Sequence, residues 1–134
     1  FCANLNWLST NGADWPRWKA LLETVHELRE VYEGDFYPLT PWSLSDGDLA
    51  AWMYHRPETG KAVVQVFRRS QASMPKGYKV RLKKLDPKAD YEVRNVDDSK
   101  PASMTGAALM EDGLPVDLSQ QPQSALFILQ KKGS

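Results

Sequence analysis

The sequence predicts a mainly β fold: an antiparallel β-sandwich of Greek-key type, preceded by one α-helix. Three observations lead there. A single amphipathic helical stretch occupies residues 15–33. After Gly34 nearly every apolar run is short, rich in β-branched or aromatic residues, and closed by Pro, Gly, Asn or Asp. Six or so such runs recur at near-regular spacing, the pattern of a sandwich.

Phe1 to Leu8 alternates loosely between apolar and polar residues and reads as a short strand, and residues 9–14 are loop. The helix then starts on two signals. Asp14 is a good N-cap, and Pro16 falls in the first turn, where its missing N–H costs nothing. Trp18, Leu21, Leu22, Val25, Leu28 and Tyr32 recur at three- and four-residue spacing and form one apolar face. Lys19, Glu23, Glu27 and Glu30 cover the other, and Gly34 is read as the C-terminal stop.

Residues 35–44 place two prolines among aromatics, Asp35-Phe36-Tyr37-Pro38-Leu39-Thr40-Pro41-Trp42, which predicts an ordered connector, neither a helix nor a central strand. Strands follow at Leu49 to His55 and at the Val-rich stretch Ala62 to Arg69. Tyr78 to Lys83 alternates strictly, with Tyr78, Val80 and Leu82 on one face. Tyr91 to Arg94 continues the alternation across the turn Asp86-Pro87-Lys88-Ala89-Asp90, so these two runs are expected to pair as a hairpin. Thr105 to Met110 and Val116 to Leu118 are taken as further strands, and Ala125 to Leu129 as a last strand buried on both faces.

The composition narrows the function. Seventeen Lys and Arg balance seventeen Asp and Glu, so no whole-chain field would hold a polyanion, and nucleic acid is not expected as a partner. No apolar run is long enough to span a bilayer, and no membrane partner is expected. One cysteine, Cys2, precludes an internal disulfide and a four-cysteine zinc site. No phosphate-cradling glycine loop is present, and no cofactor or metal is expected. Low cysteine use suits a bacterial cytoplasm and equally a periplasm. The chain opens on Phe1 and not on Met, which predicts processing or truncation upstream.

Glycosidic chemistry needs two carboxylates facing each other across a sugar. Asp35, Asp46, Asp48 and Asp97-Asp98 are the acids to weigh. Asp46 and Asp48 lie in turn composition, and Asp97-Asp98 looks like a hairpin tip, so no catalytic residue is assigned. Five tryptophans are many for 134 residues. Exposed indoles stack on sugar rings, but tryptophans also fill cores. Trp18 and Trp52 are assigned to the core, and Trp42, among prolines, is the candidate sugar contact. Lys79, Arg81, Lys83 and Lys84 alternate with apolar positions, as on the wet face of an edge hairpin.

The run Tyr32-Glu33-Gly34-Asp35-Phe36-Tyr37-Pro38-Leu39-Thr40-Pro41-Trp42-Ser43 resembles the junction between catalytic barrel and C-terminal domain in α-galactosidase-like glycoside hydrolases, particularly bacterial members of family 36 and its clan D relatives. Ala51-Trp52-Met53 with Arg56-Pro57, Val66-Phe67-Arg68-Arg69, Leu85-Asp86-Pro87 with Tyr91-Glu92-Val93, and Thr105-Gly106 with Leu109-Met110 and Gly113-Leu114 resemble further family motifs in the same order. The likeness covers roughly residues 15–130. It implies that residues 1–34 are the last strand and last helix of a truncated (β/α)8 barrel, that 35–44 connect, that 45–130 form the C-terminal β-sandwich, and that 131–134 are tail. The family's two catalytic aspartates lie upstream on barrel strands, and no residue here matches either. The expected function is a non-catalytic, stabilising C-terminal domain of an enzyme that hydrolyses terminal α-linked sugars. Its partner is the upstream barrel, and an orphaned apolar face predicts self-association of the chain alone. The alternative is a carbohydrate-binding module that uses exposed Trp or Tyr.

Overall fold

The structure is a computed structural model, and it describes residues 14–98 and 100–133. The strand expected at 1–8, Cys2 and Trp7 lie outside the described residues.

Helix α1 spans Trp15–Arg29. The Asp14 side chain accepts from the Arg17 N–H at 3.2 Å, and Pro16 sits in the first turn, so the start follows the predicted chemistry. A 3-10 turn, Val31–Glu33, follows. The end differs from expectation. Gly34 has φ −82° and ψ −167°, so it is extended and not a left-handed cap. Its need for glycine is spatial: a Cβ there would overlap the His55 carbonyl, 2.9 Å from its carbon, and stand 3.1 Å from the Val31 oxygen.

Eight strands are described: β1 Asp35–Pro38, β2 Leu49–Arg56, β3 Lys61–Arg68, β4 Lys79–Val80, β5 Asp90–Asn95, β6 Ala102–Thr105, β7 Leu114–Pro115 and β8 Gln123–Lys131. Six of them form one antiparallel sheet in the order β1-β2-β3-β8-β5-β6. β1, β2 and β3 run as a meander, and β5–β6 is a hairpin. β8 then returns over a long connection to lie between β3 and β5. The two edge strands are four residues each, and Pro38 ends one while Pro101 precedes the other. Short edges ended by proline resist pairing with other chains.

The register puts Ala51, Met53, Ala62, Val64, Val66, Val93, Ala125, Phe127 and Leu129 on one face, and they form the core. A second layer closes over that face. It consists of the β4–β7 ribbon, the short helix α2 (Gly106–Glu111) and loops that deliver Leu82, Leu85, Val116 and Leu118. Removing a side chain such as Leu109 from this core would cost about 2–5 kcal/mol.

Two sequence expectations are corrected here. Tyr78 to Lys83 does present Val80 and Leu82 to the core, but it does not pair with residues 91–94. Only Lys79–Val80 is strand, and its partner is β7. Leu82 turns away to donate its N–H to the Leu109 carbonyl, while β5 takes β6 and β8 as neighbours. Residues 106–111 are helix and not strand. The Thr105 hydroxyl caps them by accepting from the Ala108 N–H, and Ala107-Ala108-Leu109-Met110 are all good helix formers. Gly113, at φ +97°, ends that helix in a conformation other residues avoid.

Candidate functional site

The segment 30–44 joins helix to sheet, and side chains from both hold it. Leu28 and Val31 bury themselves against Val63 and Ile128 on the sheet face opposite the core. Tyr32 meets Tyr54 edge-on, with ring centroids 4.8 Å apart. The Arg56 guanidinium donates to the Glu30 carbonyl at 2.9 Å, and Arg94 pairs with Glu27 at 2.7 Å. Toward its N-terminus α1 stands more open. Trp15, Leu21 and Leu22 are 64%, 46% and 40% exposed. Of the predicted apolar face only Leu28 is buried. Val31, which the periodicity argument passed over, contributes more.

The stretch expected as connector opens with a strand. Residues 35–38 form the edge strand β1, paired with β2 through Asp35↔His55 and Tyr37↔Met53. Beyond it, one of two adjacent arginines fixes the loop at 39–48. Arg69 donates to the Ser43 and Ser45 carbonyls at 2.8 and 2.5 Å. Ser43 donates to Asp48 at 2.6 Å, and the Ala51 N–H reaches the Thr40 hydroxyl. Arg68 donates to the Ala72 and Leu118 carbonyls and so ties two further loops. The paired arginines of the motif are thus backbone clamps. The loop they hold presents Trp42, which is 84% exposed, beside an equally open Leu44.

Trp52 is corrected from core to outer face. It stands on β2 opposite the core residues, half-buried, stacked on Phe67 at 4.9 Å, with its indole N–H donating to the Gln65 side-chain oxygen Oε1 at 2.7 Å. Phe36, Tyr54, Gln65 and Phe67 complete a shallow trough of about 410 Å³ around it. Trp18 is likewise half-buried on α1 and not in the core.

Among the candidate acids, Asp35 accepts from the Tyr37 hydroxyl at 3.4 Å. Asp48 is spent on Ser43. Asp97 and Asp98 lie in the β5–β6 turn, where Asn95 accepts from the Asp97 N–H and Asp98 from the Lys100 N–H. Asp86 is drawn below its ordinary carboxyl range by the Lys131 ammonium at 2.9 Å and by the Lys88 N–H. Among the described residues no three His, Cys, Asp or Glu side chains gather as metal ligands would. His55 is the one buried polar side chain described, 4% exposed, with Nδ1 lacking a partner among the described residues. Burial pushes its pKa down, and the Asp35 and Glu58 charges oppose that.

The motif segments that looked separate in sequence meet in space. The Leu85-Asp86-Pro87 turn carries α2. The Gly106 N–H donates to the Ala89 carbonyl at 2.8 Å and the Ala107 N–H to that of Pro87 at 3.2 Å. A Cβ on Gly106 would collide with the Asp86 carbonyl and lie 3.2 Å from the Tyr91 ring. Tyr91 in turn accepts from the Asp86 N–H.

Residues 49–129, more than half of the chain, match the model of the glycosyl hydrolase family 36 C-terminal domain. The chain belongs to that family. Solved structures agree over nearly the whole chain. The α-galactosidase AgaB from Geobacillus stearothermophilus superposes with a TM-score of 0.72 at 27% identity, covering 95% of this chain and 17% of that one. The galactosidase domain of the α-galactosidase-sucrose kinase AgaSK gives 0.71 at 25% identity, covering 93% and 17%. A variant of the α-galactosidase AgaA from Geobacillus stearothermophilus, solved in complex with raffinose, gives 0.71 at 25% identity, covering 95% and 17%. The chain thus spans about a sixth of the length of these solved structures. No curated protein sequence matches the chain.

Proposed function

We propose that this chain is the non-catalytic C-terminal domain of an α-galactosidase-type glycoside hydrolase, and that its work is to cover the side of the upstream catalytic barrel and hold the barrel's last helix. The observation that carries this reading is the division along α1. Its C-terminal end is buried in the sheet, while Trp15, Leu21 and Leu22 stand open. An apolar helix face left open in one domain is what a second domain covers. The barrel is the partner, and in the chain alone the same face drives self-association.

The test compares the chain with the parent enzyme, the product of the reading frame that continues upstream. The chain alone should not hydrolyse a chromogenic α-galactoside or raffinose, should bind an apolar dye, and should self-associate on a sizing column. The parent lacking residues 35–134 should lose activity through aggregation. Turnover by the chain alone would refute the non-catalytic role. A truncated parent that stays soluble and active would refute the stabilising one.

A second reading, saccharide contact at Trp42, rests on one observation: its indole is almost fully exposed on a loop held by the Arg69 hydrogen bonds. Such a ring is preorganised to stack on a sugar. Titration with raffinose should then shift the tryptophan fluorescence saturably, and Trp42→Ala should abolish the shift. A flat titration of the unaltered chain removes this reading.

A further inference from the structure

The sheet has two faces, and among the described residues only one of them is closed by a second layer. On the outer face Leu28, Val31 and Tyr32 cover Val63, Ile128 and part of Tyr54. Beside that seam, on the same face, the aromatic trough lies open. Phe36 on its rim is 53% exposed, although β1 pairs it directly with Tyr54.

The trough's chemistry says what kind of surface fits it. Trp52 gives one indole face to Phe67, and the planes are only 26° apart. Its N–H is spent on Gln65. Tyr54 is flanked by Phe36 at 5.2 Å and Tyr32 at 4.8 Å. A saccharide needs a free ring face with free donors and acceptors beside it. This trough offers rings packed against one another and an indole whose polar atom is already satisfied. That suits apolar side chains. The trough is continuous with the seam through which the chain enters from α1. In the enzymes this domain resembles, about five-sixths of the polypeptide lies outside the matched part, and the matching family model is a C-terminal domain.

We propose that the trough of Phe36, Trp52, Tyr54, Gln65 and Phe67 seats an apolar segment of the upstream catalytic domain of the same polypeptide, as a second contact beside α1. This rests on the reading of the chain as a C-terminal domain, and it adds a surface that this reading does not require.

Hydroxyl-radical footprinting read by mass spectrometry tests it on the chain diluted until it is monomeric, on the parent enzyme, and on each with raffinose. Phe36 and Trp52 should oxidise about fivefold or more slowly in the parent than in the chain, as buried interface residues do. Trp15 reports separately on α1. Protection of Trp15 with Phe36 and Trp52 oxidised equally in both proteins would overturn the proposal and leave the C-terminal-domain reading standing. No protection at any of the three would sink both. Protection of the trough by raffinose in the chain alone would make it a saccharide site and also overturn the proposal. A second measurement needs only the parent. Phe36→Asp should shorten its half-life near the inactivation temperature by about tenfold, because a carboxylate would be buried between domains. Phe36→Leu should leave it near the unaltered value. Equal half-lives for the two variants would refute the buried contact.

Discussion

Replacing Gly34 tests the seam most directly, because two readings of that glycine predict different outcomes. As a left-handed helix stop, Gly34 would tolerate Asn better than Ala, since Asn enters that conformation more readily. In the structure its φ of −82° is open to any residue, and the obstacle is the His55 carbonyl. Ala and Asn carry the same Cβ and so meet the same clash. Forcing a methyl group into a filled site costs about 1–3 kcal/mol. Removing a glycine from the unfolded chain returns about 0.4–1 kcal/mol. The net loss is roughly 1–2 kcal/mol. For 134 residues the unfolding entropy is about 280 cal/mol/K, so the melting temperature should fall by about 4–7 °C. Thermal and urea melts followed by circular dichroism would measure it for Gly34→Ala and Gly34→Asn side by side. A loss below about 0.5 kcal/mol for Ala, or a clear advantage of Asn over Ala, would refute the close-approach argument.

Three further outcomes follow from particular contacts. Burial holds the His55 pKa below its unfolded value, so the unfolded chain binds more protons between those two values. Stability should therefore be full above about pH 6.5 and fall as the pH drops below it, and His55→Leu should flatten that slope in melts taken across the range. Arg69→Met keeps the aliphatic stem but removes both donors to the Ser43 and Ser45 carbonyls, so limited proteolysis should cut within residues 41–48 and stability should drop by about 1–2 kcal/mol. Arg94→Met breaks the ion pair with Glu27, but both groups are more than a third exposed, so urea melts should show a loss of no more than about 1 kcal/mol.

Local features were legible in the sequence, and long-range ones were not. The Asp14 cap, the strands at 49–56 and 61–68, and the apolar run at 125–129 within the last strand each carry their signal within a few residues. The insertion of β8 between β3 and β5 depends on partners more than thirty residues away, and no local pattern encodes it. The alternation at 78–83 reported the buried face correctly, because alternation measures burial. It could not name the partner, and β7 took the place that β5 was expected to fill. Helix α2 was recoverable. Thr105 followed by Gly-Ala-Ala-Leu-Met is a cap before helix formers, but the surrounding strand grammar outweighed it. Trp52 misled because an apolar strand with two nonpolar faces looks the same whether both faces lie in one core or one of them waits for another domain.

That last ambiguity bears on how the domain works. The core face is sealed by the domain's own second layer, so substitutions at Met53, Val64 or Leu129 should act on its folding alone. In the arrangement proposed above, the outer face is shared. Leu28 and Val31 bind it to α1, and the aromatic trough beside them remains open. Substitutions at Phe36 or Leu21 should then leave folding nearly intact and act where the domain meets its neighbour. Gly34 is the point where these two roles touch. Its missing side chain lets the backbone from α1 lie against the backbone of β2, and His55, whose carbonyl occupies that space, turns its imidazole inward beneath it. A change at Gly34 must therefore loosen both the closed core and the shared face, whereas a change on either face alone should loosen only one.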